Sequence, residues 1–380
     1  MRFSIIIPIY NAASRLCECL DAALYGMRAG DELLLVDDGS TDGSGEIIDR
    51  YAAAHPQIRV IHTENQGPLL ARREGIRRAD GDFCLFSDAD DRMAEDCLST
   101  VRERLLASDA DILLYNYAVE SEDGAVRVPP PVFEDGRIFE GEEKREIYLE
   151  IAAGWRLNSL CQKAVRTRLL QEDDTDLTAY ADMTLGEDLL ASLYPVTHAK
   201  RIAYCEKPLY RYLRLGGGLT RAFDEKQRRS ALDTRMPMML RRCLALWNME
   251  DAALLAVFHR RLLAARIDDC MSFFRHAADA DAQRGVLSTD WFSGLPLTAE
   301  EQRKAAASLP LKQRIQYELI RKRQTASRAF TAARRELRGG RIVDGAGNPR
   351  PPARRGGSAV RAPSGMGKET QHKKEQGEPI

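Results

Sequence analysis

An acidic turn, Asp88-Ala89-Asp90-Asp91, comes one residue after the apolar run FCLF and places three carboxylates within four residues. Like charges this close repel one another, so they need a cation or strong hydrogen bonds to stay ionised together. Carboxylate oxygens suit Mg²⁺ or Mn²⁺, which normally arrive with a phosphate-bearing substrate. A ligand is not required to explain the turn, because acidic side chains also favour the N-terminus of the helix expected from about Ala94.

A second acidic turn, Asp37-Asp38-Gly39-Ser40, follows the apolar run LLLV. Here Asp38 can accept hydrogen bonds from a nucleotide base or ribose. The alternative is an Asx turn in which Gly39 supplies a positive φ.

The first apolar run of the chain ends in Pro8-Ile9-Tyr10-Asn11. Tyr10 offers an aromatic face on which a planar base can stack. The alternative is a tyrosine that packs on its own helix.

Arg72 follows the third apolar run, in the stretch NQGPLLARREGI. An arginine on a helix that faces a cleft can hold a phosphate or a base carbonyl. It is otherwise a surface residue of an amphipathic helix.

The triplet Gly186-Glu187-Asp188 lies about a hundred residues beyond the first acidic turn. A carboxylate that reaches into the cleft can act as general base on an acceptor hydroxyl. The alternative is an acidic pair that favours a helix N-terminus.

The elements around these residues alternate between strand and helix over the first 120 residues. Apolar runs predict strands at Phe3–Ile9, 32–36, Ile58–His62, Phe83–Phe86 and 112–116, and helical spacing predicts helices at 12–24, Ser44–Ala54, 68–77 and 94–108. Repeated β-α-β units of this kind form a mostly parallel sheet with helices on both faces. Because ligands of such sheets bind at the carboxyl ends of the strands, the polar turns are expected to converge on one ligand.

The rest of the chain differs from this α/β portion. Strands are expected at 202–204 and 208–213, helical patterns dominate 225–335, and from Gly339 on few apolar residues remain. We therefore predict three parts: an α/β catalytic domain (1–222), a helical region (223–338) and a disordered basic tail (339–380).

Bulk composition narrows the class of protein. The 380 residues carry a net charge of -1, which argues against nucleic acid as the partner, and the eight cysteines include no CxxC pair. Scattered cysteines indicate free thiols in a reducing compartment. With no signal peptide and no apolar stretch of membrane-spanning length in the sequence, the protein is expected in the cytoplasm.

Taken together, the motifs SIIIPIYN, LLLVDDGSTDGS, NQGPLLARREGI, GDFCLFSDADD, GED and KPLYRY resemble those of the family 2 glycosyltransferases, which have the GT-A fold. Their order and spacing match strongly over about residues 1–115 and fairly to about 220. The resemblance is to single-addition members that build bacterial cell-surface polysaccharides.

The resemblance implies a role for each matching residue. Asp88 would face the ribose or the metal, Asp90 would ligate Mn²⁺ or Mg²⁺ with the diphosphate, and Asp188 would be the catalytic base, with Glu187 less suited. The other positions implied in the nucleotide-sugar site are Pro8, Tyr10 and Asp38 around the base, Arg72 nearby, and Asp91 beside the sugar or acceptor. The reaction implied is an inverting transfer of a hexosyl or N-acetylhexosaminyl group, most simply from a UDP-sugar, to a saccharide or lipid-linked saccharide acceptor.

The sequence also departs from the family pattern. Single-addition members often carry Asn-Lys-Leu before the GED triplet, whereas here Asn158 and Lys163 stand five residues apart, which puts their usual acceptor-side role in question. No QxxRW follows the triplet, so the signature of processive synthases is missing. The glycines of 215–221 suit a lid over the diphosphate or a plain connector.

A basic stretch at 311–338 combines an apolar stripe (Leu311, Ile315, Leu319) with many lysines and arginines. From 311 to 380 the chain carries a net charge of +11. A basic amphipathic helix can lie on an anionic membrane, here the inner face of the plasma membrane. The alternative is a solvated helix that packs on the preceding helices.

Two other functions fit the sequence less well. A sugar nucleotidyltransferase needs a glycine-rich basic loop after the first strand, and the sequence there is Pro8-Ile9-Tyr10-Asn11-Ala12-Ala13. A non-catalytic nucleotide-sugar-binding relative is expected to have lost at least one of Asp38, Asp88, Asp90 and Asp188, and all four are present.

Overall fold

The computed structural model describes residues 1–183, 185–214 and 225–339. Residues Met1–Ser327 form one compact unit, and Arg328–Ile380 form a second. The predicted lid at 215–221 and all but the first residue of the predicted disordered tail lie outside the described residues. The predicted domain boundary at 222 also falls there and stays a prediction.

The described strands form one mixed sheet. Its order is β3-β2-β1-β4-β9-β6-β10-β5, with β7 paired to β6 and β8 paired to β10. The strands are β1 (Phe3–Ile9), β2 (Glu32–Asp37), β3 (Ile58–His62), β4 (Phe83–Phe86), β5 (Arg92–Met93), β6 (Ile112–Ser121), β7 (Val126–Arg127), β8 (Ile138–Glu140), β9 (Lys163–Arg166) and β10 (Arg201–Arg214).

The pairing is parallel from β3 through β2 and β1 to β4, and again between β6 and β10. The short β9 joins these two parallel blocks, because it runs antiparallel to β4 on one edge and to β6 on the other. This confirms the predicted mostly parallel sheet. The strands expected at 202–204 and 208–213 are one continuous strand, β10, whose register shifts around Pro208.

The helices that cover the α/β portion lie between these strands. They are α1 (Leu16–Leu24), α2 (Ser44–Ala54), α3 (Pro68–Arg78), α4 (Cys97–Ser108), α5 (Lys144–Ala153), α6 (Thr167–Gln171) and α7 (Glu187–His198). α3 packs closely on the central strands at Gly75, where a Cβ atom would lie 2.6 Å from Ile6 Cγ2. A glycine at this position lets the helix that carries Arg72 approach the sheet.

A helical region follows, as predicted. Its helices are α8 (Glu225–Leu232), α9 (Arg235–Leu246), α10 (Ala252–His276), α11 (Ala280–Ser288), α12 (Ala299–Ala307) and α13 (Leu311–Gly339). The long α10 buries Phe258 and Leu262 in the core shared with the sheet, and Leu263 and Ile267 in a second apolar cluster. None of the helices in the described ranges is long and apolar enough to cross a bilayer.

Candidate active site

The turns after β1 and β2 are joined by side-chain hydrogen bonds at the carboxyl edge of the sheet. Asn11 adopts a positive φ of 52°, and its Oδ1 accepts a 2.8 Å hydrogen bond from the Thr41 backbone N–H. Ser40 Oγ accepts in return from the Asn11 backbone N–H. Tyr10 stands beside this junction with 54% of its surface exposed, so its ring is open to a stacking partner.

Asp38 is buried and serves the loop that leads into α3. One carboxylate oxygen accepts from the Gln66 backbone N–H and the other from that of Gly67, both at 2.8 Å. Gly67 needs its positive φ of 89°, and a Cβ atom there would meet the Ala181 carbonyl oxygen at 2.7 Å. Asp38 therefore fixes the position of the loop at the start of α3. Its predicted contact with a nucleotide stays a prediction.

Its neighbour Asp37 is held in a similar way. Burial alone would raise the pKa of Asp37, but hydrogen bonds from Ser40 and His62 outweigh that effect and hold the pKa below its usual range. Pro8, partly buried in β1, pairs with Val36 one residue before this turn.

The turn after β4 distributes its three carboxylates differently. Asp90 is exposed, whereas Asp88 keeps 30% of its side chain exposed. Asp91 turns inward, where it accepts hydrogen bonds from the Tyr210 hydroxyl at 2.8 Å and the Leu213 backbone N–H at 2.7 Å. Burial, with the nearby charges of Asp88 and Asp90, raises the pKa of Asp91 to about 8. Its predicted contact with sugar or acceptor stays a prediction.

Arg72 links two distant parts of the sequence. Its buried guanidinium lies 2.7 Å from Asp88 Oδ1 and 3.0 Å from Asp188 Oδ1. Burial and the neighbouring Asp188 charge raise the pKa of Asp88, and Arg72 opposes that shift. The acidic turn and the predicted base thus meet across one cation. This pairing was not expected from the sequence, and a contact between Arg72 and the nucleotide stays a prediction.

The first turn of α7 carries Glu187 and Asp188. Asp188 Oδ2 accepts a 3.3 Å hydrogen bond from the Leu160 backbone N–H, which ties it to the loop before β9. Burial and the Asp188 charge raise the pKa of Glu187 to about 7. Glu187 is therefore a carboxyl that exchanges its proton near neutral pH, next to a carboxylate bound to arginine.

Comparison with known proteins shows which family has this sequence and fold. The family model "Glycosyl transferase family 2" matches residues 4–169. Glycosyltransferase GlyG of Streptococcus pneumoniae serotype 4 is 30% identical over 226 residues, which cover 58% of this chain and 74% of that protein. The chain belongs to glycosyltransferase family 2.

Other matches agree with that assignment. The glycosyltransferase EpsJ of Bacillus subtilis, named as uncharacterized, is 30% identical over 64% of this chain and 69% of that protein. The crystal structure of S. aureus TarS 1-349 in complex with UDP-GlcNAc aligns with a TM-score of 0.61 over 91% of this chain and 95% of that one, at 21% identity. The glycosyltransferase therefore has the GT-A fold, and the predicted class of enzyme is confirmed.

Two tyrosines that support the site were not singled out from the sequence. Tyr210 donates its hydroxyl proton to Asp91 and accepts from the Asp88 backbone N–H at 3.1 Å, so it holds both ends of the acidic turn. Tyr212, 42% exposed, lies near the same carboxylates, which with burial raise its pKa. Most of KPLYRY lies in the strand predicted at 208–213. The spacing of its two tyrosines, two residues apart, could have indicated that both lie on one face of that strand.

Lys163, whose usual acceptor-side role was in question from the sequence, supports the site from the interior. It is buried, burial lowers its pKa to about 8, and its Nζ donates to the Leu157 carbonyl oxygen at 2.7 Å. It therefore holds the loop whose Leu160 N–H contacts Asp188, and it does so from the interior. Asn158 Oδ1 is also buried, and the described residues provide it with no hydrogen-bond partner.

The donor set suits a hard cation that is shared with a substrate. Within the described residues, no cluster of three or more His, Cys, Asp or Glu side chains is arranged to hold a metal ion. The exposed Asp90 and the part-exposed Asp88 offer oxygen ligands at the mouth of the turn. Mg²⁺ is commonly held by one or two carboxylates plus substrate phosphates and water, so these residues fit that mode of binding.

Proposed function

We propose that this glycosyltransferase moves a sugar from a nucleotide-sugar donor, with UDP the first nucleotide to test, to an acceptor hydroxyl with inversion at the anomeric carbon. The observation that carries the proposal is the meeting of Asp88 and Asp188 at the two ends of one buried guanidinium, beside the exposed Asp90. These contacts support a single site in which Asp88 and Asp90 would serve the donor and Asp188 the acceptor proton.

On the donor side, the exposed Tyr10 ring offers a platform for the base, and Asp38 keeps the α3 loop in position beside it. Asp90 and Asp88 would hold Mn²⁺ or Mg²⁺ together with the diphosphate. Such an ion stabilises negative charge on the departing diphosphate. UDP is favoured because the structurally similar TarS has been solved with UDP-GlcNAc and with UDP.

On the acceptor side, Asp188 is proposed as the general base. The acceptor oxygen forms a bond to the anomeric carbon while the bond from that carbon to the diphosphate oxygen breaks, and Asp188 takes the hydroxyl proton. A single displacement of this kind inverts the anomeric configuration. With 20% of its side chain exposed, Asp188 remains accessible at the site.

Arg72 would tune this base. While the guanidinium stays 3.0 Å from Asp188 Oδ1, it would compete with the acceptor hydroxyl for that oxygen. A donor diphosphate that attracts the guanidinium would relieve that competition. In this proposal Arg72 is a positioning residue that couples donor binding to the access of the acceptor to Asp188.

For the acceptor, we propose a growing cell-surface saccharide or a lipid-linked precursor. An enzyme that works on such an acceptor gains from residence at the inner face of an anionic membrane. The proposed alternative is a relative that binds nucleotide sugars without turning them over, and a sugar nucleotidyltransferase is less favoured.

The first experiment is calorimetric titration of the full chain with UDP, with and without Mn²⁺. Binding that tightens with Mn²⁺ is expected, and Asp90→Ala should abolish that tightening. Glu95→Ala, which changes another exposed acid close by, is the matched control and should leave it intact. If UDP, dTDP and GDP all fail to bind, the transferase proposal is wrong.

Turnover is tested separately with a panel of UDP-sugars. Asp188→Asn should lower the rate by about 10²–10⁴-fold while UDP binding persists. If no sugar is transferred although UDP binds in a Mn²⁺-dependent way, the non-catalytic alternative is supported.

A further inference from the structure

Helix α13 has two opposite faces with different environments. One face packs on the second apolar cluster through Tyr317 and Ile320, which are 2% and 0% exposed. The other carries Leu311, Ile315 and Leu319, which are 64%, 61% and 44% exposed. These three residues are spaced four apart, so they form one continuous row, named here the α13 stripe.

A packed helix normally places its apolar residues toward the core and polar ones toward water. The α13 stripe instead exposes three apolar side chains to water, although the inward face of the same helix already packs on the second apolar cluster. Among the described residues, the other most exposed aliphatic side chains, Leu106 and Leu246, belong to two different helices and do not form a row. Contiguous exposed apolar surface of this kind marks a site of association.

The charges around the stripe indicate what it associates with. In the segment 311–327, the single acidic residue Glu318 stands among five exposed basic residues, which are Lys312, Arg314, Arg321, Lys322 and Arg323. Aliphatic side chains that enter the headgroup region, with basic side chains beside them that reach lipid phosphates, characterise helices that lie on anionic bilayers.

A second copy of the chain fits this surface less well. Two stripes that face each other would bring two sets of five cations together, and like charges across an interface oppose association. Nucleic acid would use the cations but would leave the aliphatic row in water. Charge and apolar surface are both satisfied by an anionic lipid surface.

We infer that the outward face of α13, through the α13 stripe and its flanking basic residues, docks the enzyme on an anionic lipid bilayer. The inference deepens the membrane part of the proposed function and rests on it for its biological purpose. Its physical basis is independent of the donor site, because the three residues of the stripe are not among the residues of that site.

The test is co-sedimentation of the full chain with vesicles of phosphatidylcholine alone or of phosphatidylcholine mixed with phosphatidylglycerol. We expect the protein to bind the mixed vesicles and not the vesicles of phosphatidylcholine alone. Added salt should weaken the binding. The triple variant Leu311→Ser, Ile315→Ser, Leu319→Ser should weaken binding by about tenfold or more, because it removes the inserted row. Lys322→Gln with Arg323→Gln should weaken it less.

The double variant Leu106→Ser, Leu246→Ser is the matched control, since it removes exposed aliphatic surface elsewhere and should bind vesicles like the unchanged protein. Equal binding to both kinds of vesicle, no binding to either, or unchanged binding by the triple variant would overturn the inference. A dimer that the triple variant disrupts, seen by sedimentation velocity, would instead assign the stripe to self-association.

UDP titration of the same triple variant separates this inference from the proposed enzymatic function. Retained UDP binding together with lost vesicle binding supports both. If the unchanged protein binds UDP but does not bind anionic vesicles, the inferred docking surface is wrong and the transferase proposal is unaffected.

Discussion

The turns after β2 and β4 are both acidic and lie at the same edge of the sheet, yet their carboxylates are neutralised in different ways. Asp38 is saturated by the backbone N–H groups of Gln66 and Gly67. Asp88 and its distant partner Asp188 share one cation, the side chain of Arg72, although Asp188 also accepts a 3.3 Å hydrogen bond from the Leu160 backbone N–H. Backbone donors cannot leave without unfolding the loop, whereas a guanidinium can move to another anion.

This difference separates carboxylates that maintain the fold, here called the framework, from carboxylates that are free to bind a ligand, here called the site. Carboxylates bound to backbone N–H groups shape the cleft, and we expect their loss to be felt as lost stability. Carboxylates bound to a side-chain cation can exchange that partner for a ligand. The two kinds of acid look alike in the sequence, and mutation should distinguish them.

The largest effect is expected for Arg72→Met, which leaves Asp88 and Asp188 facing each other without a cation. Removing one partner from a buried ion pair costs about 3–5 kcal/mol of unfolding free energy. Urea unfolding measures it. Arg77→Met on the same helix is the control, since Arg77 is 68% exposed and should change stability by less than about 0.5 kcal/mol. A loss below about 1 kcal/mol for Arg72→Met would show that the arginine is not what neutralises these carboxylates.

A smaller loss is expected for Asp38→Ala, because the backbone N–H groups of Gln66 and Gly67 lose the buried carboxylate that accepts from them. Each unsatisfied group costs about 1–3 kcal/mol, and local rearrangement should keep the total near 2–3 kcal/mol. Asp90→Ala is the comparison variant, since its exposed carboxylate should change stability by less than about 0.5 kcal/mol. Equal losses for the two variants would contradict the separation of framework from site.

The smallest effect concerns pH. Burial raises the pKa of Glu187 to about 7, above its unfolded value near 4.5, so the folded state holds the extra proton. Its contribution to stability is therefore fully present below about pH 4.5 and is lost as pH rises to about 7. Between pH 5 and pH 8 the free energy of unfolding, measured by chemical denaturation, should fall by about 1–2 kcal/mol less in Glu187→Gln than in the unchanged protein. An unchanged slope would mean that Glu187 titrates normally. Asp91, with its pKa raised to about 8, should retain a decline of its own in this variant.

Much of the first half of the fold could be predicted from the sequence. Phe3–Ile9 and Phe83–Phe86 are mainly apolar runs, Ile58–His62 is a shorter one interrupted by Arg59, and the structure has these strands at the same residues. Buried parallel strands read in this way because both faces are covered. The four residues of β9 carry no such signal, since KAVR is short and begins with a lysine that the fold buries.

The site was predicted as a set of residues but not as a set of contacts. Resemblance to the family indicated Asp88, Asp90 and Asp188, whereas the bridge from Arg72 to Asp188 and the hydrogen bond from Tyr210 to Asp91 span 116 and 119 residues. Contacts of that range depend on how the strands are ordered in the sheet. Local periodicity carries no information on that order, and so could not place Asp91 inward and Asp90 outward.

The position of β9 has a consequence for the order in which the protein folds during synthesis. The first four strands can pair with one another as they leave the ribosome, because each finds its partner within the first 86 residues. Within the described sheet, β6 meets them only through β9, which is made about 40 residues later. Until β9 and then β10 are made, the apolar strand β6 has open edges of the kind that aggregate, and we expect a chaperone that protects the nascent chain to bind there.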